Sequence, residues 1–104
     1  EGMAEYISRR YFLTDEEYAG EKETNRILAA LYDEKFARPK LNDFSRSAYG
    51  RDIVHIFYAY WRSFLAVDAA AEKYGGNALK VFESYRRWYD EGAKCSLENW
   101  LDNI

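Results

Sequence analysis

The chain has 104 residues, which is enough for one domain with one hydrophobic core. Its hydrophobic fraction of 48% and charged fraction of 32% are typical of a globular protein and exclude a disordered chain. The net charge of −3 excludes both a strongly basic nucleic-acid-binding domain and a densely acidic mimic of DNA.

Cysteine content and hydropathy indicate the compartment. Cys95 is the sole cysteine, so an intramolecular disulfide cannot form, and this fits a reducing cytoplasm. The first residues contain no continuous apolar stretch of the kind found in signal peptides. The longest apolar run, residues 56–61, is far shorter than the roughly 20 residues that cross a membrane. We therefore expect a cytoplasmic protein that does not associate with membranes.

The N-terminal residues 1–13 fit two conformations. Met3, Tyr6, Ile7 and Tyr11 could line one face of a helix, but the segment could equally be extended. We therefore divide the chain into an N-terminal arm or short helix, residues 1–13, and a single helical bundle domain, residues 14–104.

The first main helix has a strong start signal. Thr14 with Glu17 three residues later forms a capping box, and Leu13 with Tyr18 forms the accompanying hydrophobic staple. Pro39 disfavours helical backbone at the residue before it, so the helix is predicted to end near residue 37.

A long central helix is predicted over residues 47–74, ended by Gly75 and Gly76. It is apolar nearly all round, which is typical of a helix at the centre of a fold. We expect the first main helix to pack antiparallel to it. Because two or three neighbours cannot cover so much apolar surface, we also expect a homodimer.

Two shorter helices follow. Asn77 caps one over residues 78–91 that Gly92 ends, and Ser96 caps a last one that Trp100 docks onto the body. The predicted fold is thus all-α: a small bundle of three main helices with a long central one, plus a short C-terminal helix. We expect the third helix to turn toward the bundle the face that carries Leu79, Phe82, Tyr85, Trp88 and Tyr89. The predicted core consists of Leu28, Leu31, Ile53, Phe57, Trp61, Phe64, Leu65, Phe82, Tyr85 and Trp100.

Few residues suggest catalysis. Asp52 and His55 could share a helix face, but a bundle metal site needs further ligands, so a surface ion pair is the better interpretation. Cys95 follows Lys94 near a helix start, a setting that can activate a thiol, yet catalysis would need His55 beside it. Phosphate-binding glycine loops, serine triads and zinc-ligand spacings do not occur. We predict a protein that is not an enzyme and has no cofactor or metal.

Tyrosines and basic residues suggest a binding surface. Ten tyrosines are many for so small a domain, and they either rim the core or form a binding face. Residues 35–51 are rich in lysine and arginine, which could steer a partner, contact phosphates or simply be solvated. The candidate partner-binding residues are Tyr49, Tyr58, Tyr60, Arg38, Lys40, Arg46 and Arg51.

The functional prediction is a non-enzymatic protein–protein interaction module that acts as a regulatory antagonist, an inhibitor or an adaptor. Immunity proteins, anti-activators of transcription factors and phage-encoded inhibitors share its small size, helical pattern and lack of catalytic motifs. The alternative is a helical nucleic-acid-binding regulator that uses the basic residues within 35–51.

Overall fold

The computed structural model describes residues 2–36 and 53–104, and all regular secondary structure in these ranges is helical. The five helices are α1 (Gly2–Phe12), α2 (Asp15–Asp33), α3 (Ile53–Glu72), α4 (Ala78–Asp90) and α5 (Leu97–Asn103). They pack against one another around α3, which contacts α1, α2 and α4. The predicted all-α bundle with a central helix is confirmed.

The N-terminal segment is a helix that docks on α3. Tyr6 is buried, and its hydroxyl donates to the carbonyl of Gly76 at 3.4 Å. At the start of the helix, Gly2 lies so close to α3 that an added Cβ would be 2.5 Å from the carbonyl oxygen of Ser63. Glycine therefore allows an approach that a side chain would block.

Helix α2 begins as the capping box predicts. The Thr14 hydroxyl accepts from the Glu17 backbone N–H at 3.1 Å, and the Glu17 carboxylate accepts from the Thr14 backbone N–H at 3.0 Å. The helix ends at Asp33, and a turn continues to Phe36, whose N–H donates to the Tyr32 carbonyl at 3.0 Å. The end predicted near residue 37 lies outside the described residues.

Helix α3 ends at the two glycines, as predicted. Gly76 N–H donates to the Ala71 carbonyl at 2.8 Å and Gly75 N–H to the Glu72 carbonyl at 3.1 Å, the pattern of a Schellman motif. Both glycines have positive φ, 66° and 85°, which explains the residue type. The predicted first turns of this helix, residues 47–52, lie outside the described residues.

Helices α2 and α3 are antiparallel, as expected. Tyr18, early in α2, bonds to Asp68, late in α3, whereas Asp33 at the end of α2 bonds to Tyr58 and Arg62 in the first half of α3.

The last two helices start at the predicted caps. The Asn77 side chain accepts from Lys80 N–H, and the Ser96 side chain accepts from Asn99 N–H, both at 3.2 Å. Trp100 docks α5: its indole N–H donates to the Ser84 hydroxyl at 3.1 Å.

The core differs from the predicted one. Its buried cluster consists of Tyr6, Tyr18, Phe64, Ala70, Ala71, Ala78 and Val81. Of the predicted core residues, Phe64 is fully buried, and Leu28, Trp61, Leu65 and Trp100 are half-buried. Five were placed wrongly and are exposed: Leu31 by 67%, Ile53 by 65%, Phe57 by 49%, Phe82 by 50% and Tyr85 by 40%.

Small residues explain this difference. Ala70 and Ala71 on α3 and Ala78 on α4 are buried, so small side chains occupy positions that the sequence pattern assigned to large ones. Helix α4 turns Ala78 and Val81 inward, which leaves much of its more obvious apolar face outside. Periodicity identifies apolar faces, but it ranks large residues above alanine when it assigns the inner one.

Candidate partner-binding surface

Aromatic side chains gather where α2 ends and α3 begins. They form a continuous series of ring contacts, which we call the aromatic cluster: Tyr32, Phe36, His55, Phe57, Tyr58 and Trp61. Ring centroids are 6.5 Å apart for Phe57 and Trp61, 5.8 Å for Trp61 and Tyr32, and 5.6 Å for Tyr32 and Phe36. Phe36 in turn lies 5.1 Å from Tyr58 and 3.8 Å from His55.

Helical spacing and helix direction build the cluster together. Tyr32 and Phe36 are four residues apart, at the end of α2 and in the turn that follows, and Phe57 and Trp61 are four apart on α3. Residues at this spacing lie on one side of a helix. Because the two helices are antiparallel, the two pairs meet at the same end of the bundle.

Part of the cluster faces solvent. Phe57 is 49% exposed, and Ile53, one turn earlier on α3, is 65% exposed. Tyr32 and Trp61 are half-buried beside them. The cluster therefore has an inner part packed between helices and an outer apolar edge.

A polar clamp fixes the base of the cluster. The Tyr58 hydroxyl donates to Asp33 at 2.5 Å, and the Arg62 Nε–H donates to the same carboxylate at 3.0 Å. A terminal guanidinium N–H of Arg62 donates to the second Asp33 oxygen, so the ion pair is bidentate. These bonds hold the end of α2 against α3.

The clamp is electrically balanced near neutral pH. Burial raises the pKa of Tyr58, and its hydrogen bond to Asp33 raises it further, so the phenol stays neutral. Burial works against the charge on Arg62, but its bonds with Asp33 and Tyr58 prevail and raise its pKa above the ordinary value. The ion pair of Asp33 and Arg62, together with the Tyr58 hydroxyl, stabilises this end of the bundle. None of these three side chains is an activated nucleophile.

A cation lies at the edge of the cluster. The ammonium of Lys35 is 5.7 Å from the ring centroids of both Tyr32 and Phe36. This is within the range of a cation–π interaction, so the aromatic surface carries a positive border.

The predicted partner-binding residues fall into two groups. Tyr58 belongs to the aromatic cluster and is fully buried. Tyr60 is half-buried on α3. Five others lie outside the described residues: Tyr49, Arg38, Lys40, Arg46 and Arg51.

His55 and Cys95, the two residues considered for catalysis, lie in different parts of the fold. His55, on α3, is half-buried and packs against Phe36 in the turn after α2. Asp52 is outside the described residues. Cys95 is exposed in the connection between α4 and α5, where its carbonyl accepts from the Trp88 indole at 3.1 Å. Within residues 2–36 and 53–104, no three His, Cys, Asp or Glu side chains are placed to hold a metal ion.

A second apolar feature is a cavity of about 360 Å³ between α1, α3, α4 and α5. Small residues such as Ser63, Ala66 and Ala70 line it on α3, and bulkier ones line it on the other helices, including Phe82 and Trp100. Its size is at the lower end of the range of small-ligand pockets, and it adjoins the exposed face of α4.

Comparison with protein-family models, with curated proteins and with solved structures gives no match to this chain. In the part of the chain that the structure describes, no helix combines the length and apolarity needed to span a bilayer. The geometry of the aromatic cluster is thus the basis for a functional proposal.

Proposed function

We propose that the protein is a non-enzymatic protein–protein interaction module that binds a partner protein through the aromatic cluster. It acts by occupying a surface of that partner, as a regulatory antagonist or inhibitor or as an adaptor. The observation that carries this proposal is the exposed edge formed by Phe57 and Ile53, which adjoins stacked rings at the end of the bundle.

The chemistry of this edge suits protein recognition. Large aromatic side chains provide most of the binding energy at many interfaces, since each buries a large area with few rotatable bonds. Here Phe57 stacks on Trp61 with an interplanar angle of 15°. A ring already held by a neighbour loses little conformational freedom on binding, so more of the contact energy appears as affinity.

The polar clamp supports the same role. Asp33, Tyr58 and Arg62 fix α2 against α3, and Asp33 and Arg62 directly follow Tyr32 and Trp61 in the chain. A binding surface carried by packed helices is more precisely positioned than one on a loop. Lys35 at the border favours a partner with an acidic rim around an apolar patch.

We place the protein in the cytoplasm. Its single cysteine is not in a disulfide, and its fold rests on packing and hydrogen bonds that a reducing compartment leaves intact.

Nucleic-acid binding is the second candidate function. The observation in its favour is Lys35 beside the rings of Tyr32 and Phe36, because proteins that bind single strands combine cations with aromatic stacking platforms. The other basic residues of that prediction lie outside the described residues.

The test compares three forms of the tagged protein in lysate of the source cell, with and without nuclease. Phe57→Asp places a charge on the exposed edge of the cluster. Phe12→Asp places the same charge on α1, where Phe12 is 84% exposed and outside the cluster. Circular dichroism checks that both variants keep their helices.

We expect the wild type and Phe12→Asp to retain one protein after nuclease treatment, and Phe57→Asp to lose it. Co-purified material that is lost on nuclease treatment favours the nucleic-acid alternative. Equal retention of the same protein by all three forms overturns the assignment of the site.

A further inference from the structure

Helix α4 carries a partly exposed apolar stripe along the flank that borders α5, where Phe82 and Tyr85 also line the cavity and the Tyr85 ring lies 5.6 Å from that of Trp100. The stripe consists of Leu79, Phe82, Tyr85 and Tyr89, which are 64%, 50%, 40% and 66% exposed. We call these residues the α4 stripe. Phe82, Tyr85 and Tyr89 follow Leu79 by three, six and ten positions. At about 100° per residue, all four lie within about a third of a turn, on one side of the helix.

The exposed area of the stripe is about half of what one side of a standard interface buries, and close to the apolar part of that side. An aromatic side chain has about 150–250 Å² of surface, so the exposed parts of the stripe amount to roughly 400 Å². A standard interface buries about 800 Å² per partner, a little more than half of it apolar. The stripe alone thus supplies nearly all the apolar area of one such side.

The stripe is also self-complementary. When a second α4 runs antiparallel to the first with residue 84 at the same level, position 79 of one copy lies opposite position 89 of the other. Position 82 then lies opposite position 86. Leu79 then faces Tyr89 of a second copy, and Phe82 faces Arg86 of that copy, a favourable cation–π pairing. Arg86 is free to turn this way, since its side chain is 75% exposed and lies 3.6 Å from Asp90 in a loose ion pair.

Charges at the edge of the stripe fit the same pairing. Glu83 and Arg86 lie on either side of residue 84 on the outer part of the helix. In the antiparallel arrangement, Glu83 of each copy comes next to Arg86 of the other. Opposite charges therefore meet twice across the axis, which favours this register over a parallel one.

We propose that the α4 stripe is covered by a second copy of this chain, with the two α4 helices antiparallel about a twofold axis that passes the stripe at the level of residue 84 along the helix. The sequence placed self-association on the central helix, and the exposed surface places it on α4 instead. Helix α4 packs beside the C-terminal half of α3 through Ala78 and Val81, whereas the aromatic cluster lies at the N-terminal end of α3. The dimer therefore leaves both aromatic clusters open.

The first experiment measures mass by analytical ultracentrifugation of the purified protein over a range of concentrations. We expect a species of twice the 12.3 kDa chain mass. Phe82→Asp should raise the dissociation constant at least about tenfold, as loss of a central aromatic contact does at other interfaces. The control Ile27→Asp charges another exposed apolar position, 49% exposed on α2, and should leave the dimer intact.

The second experiment tests the register by disulfide formation. In a Cys95→Ser background, Tyr85→Cys lies next to the axis, so its two copies should cross-link on oxidation. Leu79→Cys lies five residues from the axis, so its copies are displaced by about 15 Å along the helices, beyond the reach of a disulfide.

A protein that stays monomeric at every concentration overturns the proposal. So does a dimer that Phe82→Asp leaves unchanged while the variant remains helical, or cross-linking at position 79 as efficient as at position 85. Both experiments use the purified chain alone, so their outcome is independent of whether the aromatic cluster binds another protein.

Discussion

The hydroxyl of Tyr18 donates a hydrogen bond to the buried carboxylate of Asp68, fifty residues further along the chain. The ammonium of Lys22 lies 2.7 Å from the second oxygen of the same carboxylate and also 2.7 Å from Glu72. This network joins the first turns of α2 to the last turns of α3, so the two helices are held by specific polar contacts as well as by apolar packing.

The first prediction concerns this network. Asp68→Ala leaves the Tyr18 hydroxyl without its buried acceptor and removes one partner of Lys22. We expect the free energy of unfolding to fall by about 1–3 kcal/mol, measured by urea denaturation. Glu72→Ala is the control, because the Glu72 side chain is 66% exposed and its ion pair should contribute less than about 1 kcal/mol. Equal losses for the two variants would contradict the assigned network.

The second prediction concerns alkaline pH. Burial raises the pKa of Tyr18 well above its ordinary value of 10.0, and the hydrogen bond to Asp68 raises it further. A pKa raised in the folded state gives stability that is complete below pH 10 and declines as the pH rises. Burial likewise raises the pKa of Tyr6 and Tyr58. We expect these three tyrosines to ionise only as the helices unfold.

Tyrosinate absorbance and circular dichroism, followed over the same alkaline titration, check this expectation. Tyr18→Phe should remove one tyrosine from the step that coincides with loss of helix. Ionisation of all tyrosines while the helices remain intact would contradict the assigned burial of Tyr6, Tyr18 and Tyr58.

The third prediction uses two glycines as a matched pair. Gly2→Ala would place a Cβ 2.5 Å from the Ser63 carbonyl oxygen, so α1 must shift away from α3. We expect a loss of about 1–3 kcal/mol in stability, the usual range for overpacking. Gly20→Ala meets nothing within 4 Å and should instead stabilise α2 by about 0.5–1 kcal/mol. Thermal melts of both variants test the docking of α1. A neutral or stabilising effect of Gly2→Ala would contradict the close contact between α1 and α3.

The fourth prediction separates the core from the surface. Phe64→Ala removes a fully buried ring and should cost about 3–5 kcal/mol in unfolding free energy. Phe12→Ala removes a ring that is 84% exposed, and its effect should stay within about 0.5 kcal/mol. Denaturant titrations of the two variants compare the same chemical change, and similar costs would refute the assigned core.

Helix termini could be predicted from the sequence because their signals are local. Thr14 with Glu17, Asn77 and Ser96 all cap as expected, and Gly75 with Gly76 ends α3. Each of these contacts links residues only a few positions apart, so no knowledge of the tertiary fold is needed.

The core and the site depend on how the helices pack, which the sequence pattern does not specify. Phe57 and Phe82 fit a core as well as Phe64 does, yet Phe64 alone of the three is buried. The deciding residues are alanines on α3 and α4, which are buried where the pattern favours large apolar side chains. The aromatic cluster required one further fact, the antiparallel contact that brings Tyr32 to Trp61. Paired aromatic residues four apart were the available signal for it.

The central claim is that the edge of the aromatic cluster contacts a partner protein. A photoreactive phenylalanine analogue in place of Phe57, activated in cells of the source organism, tests this contact at one side chain. We expect a cross-link to a single protein that withstands nuclease treatment, and none when the analogue replaces Phe12. Cross-linking at position 12 but not at position 57, or cross-linking of position 57 to nucleic acid alone, would contradict the claim.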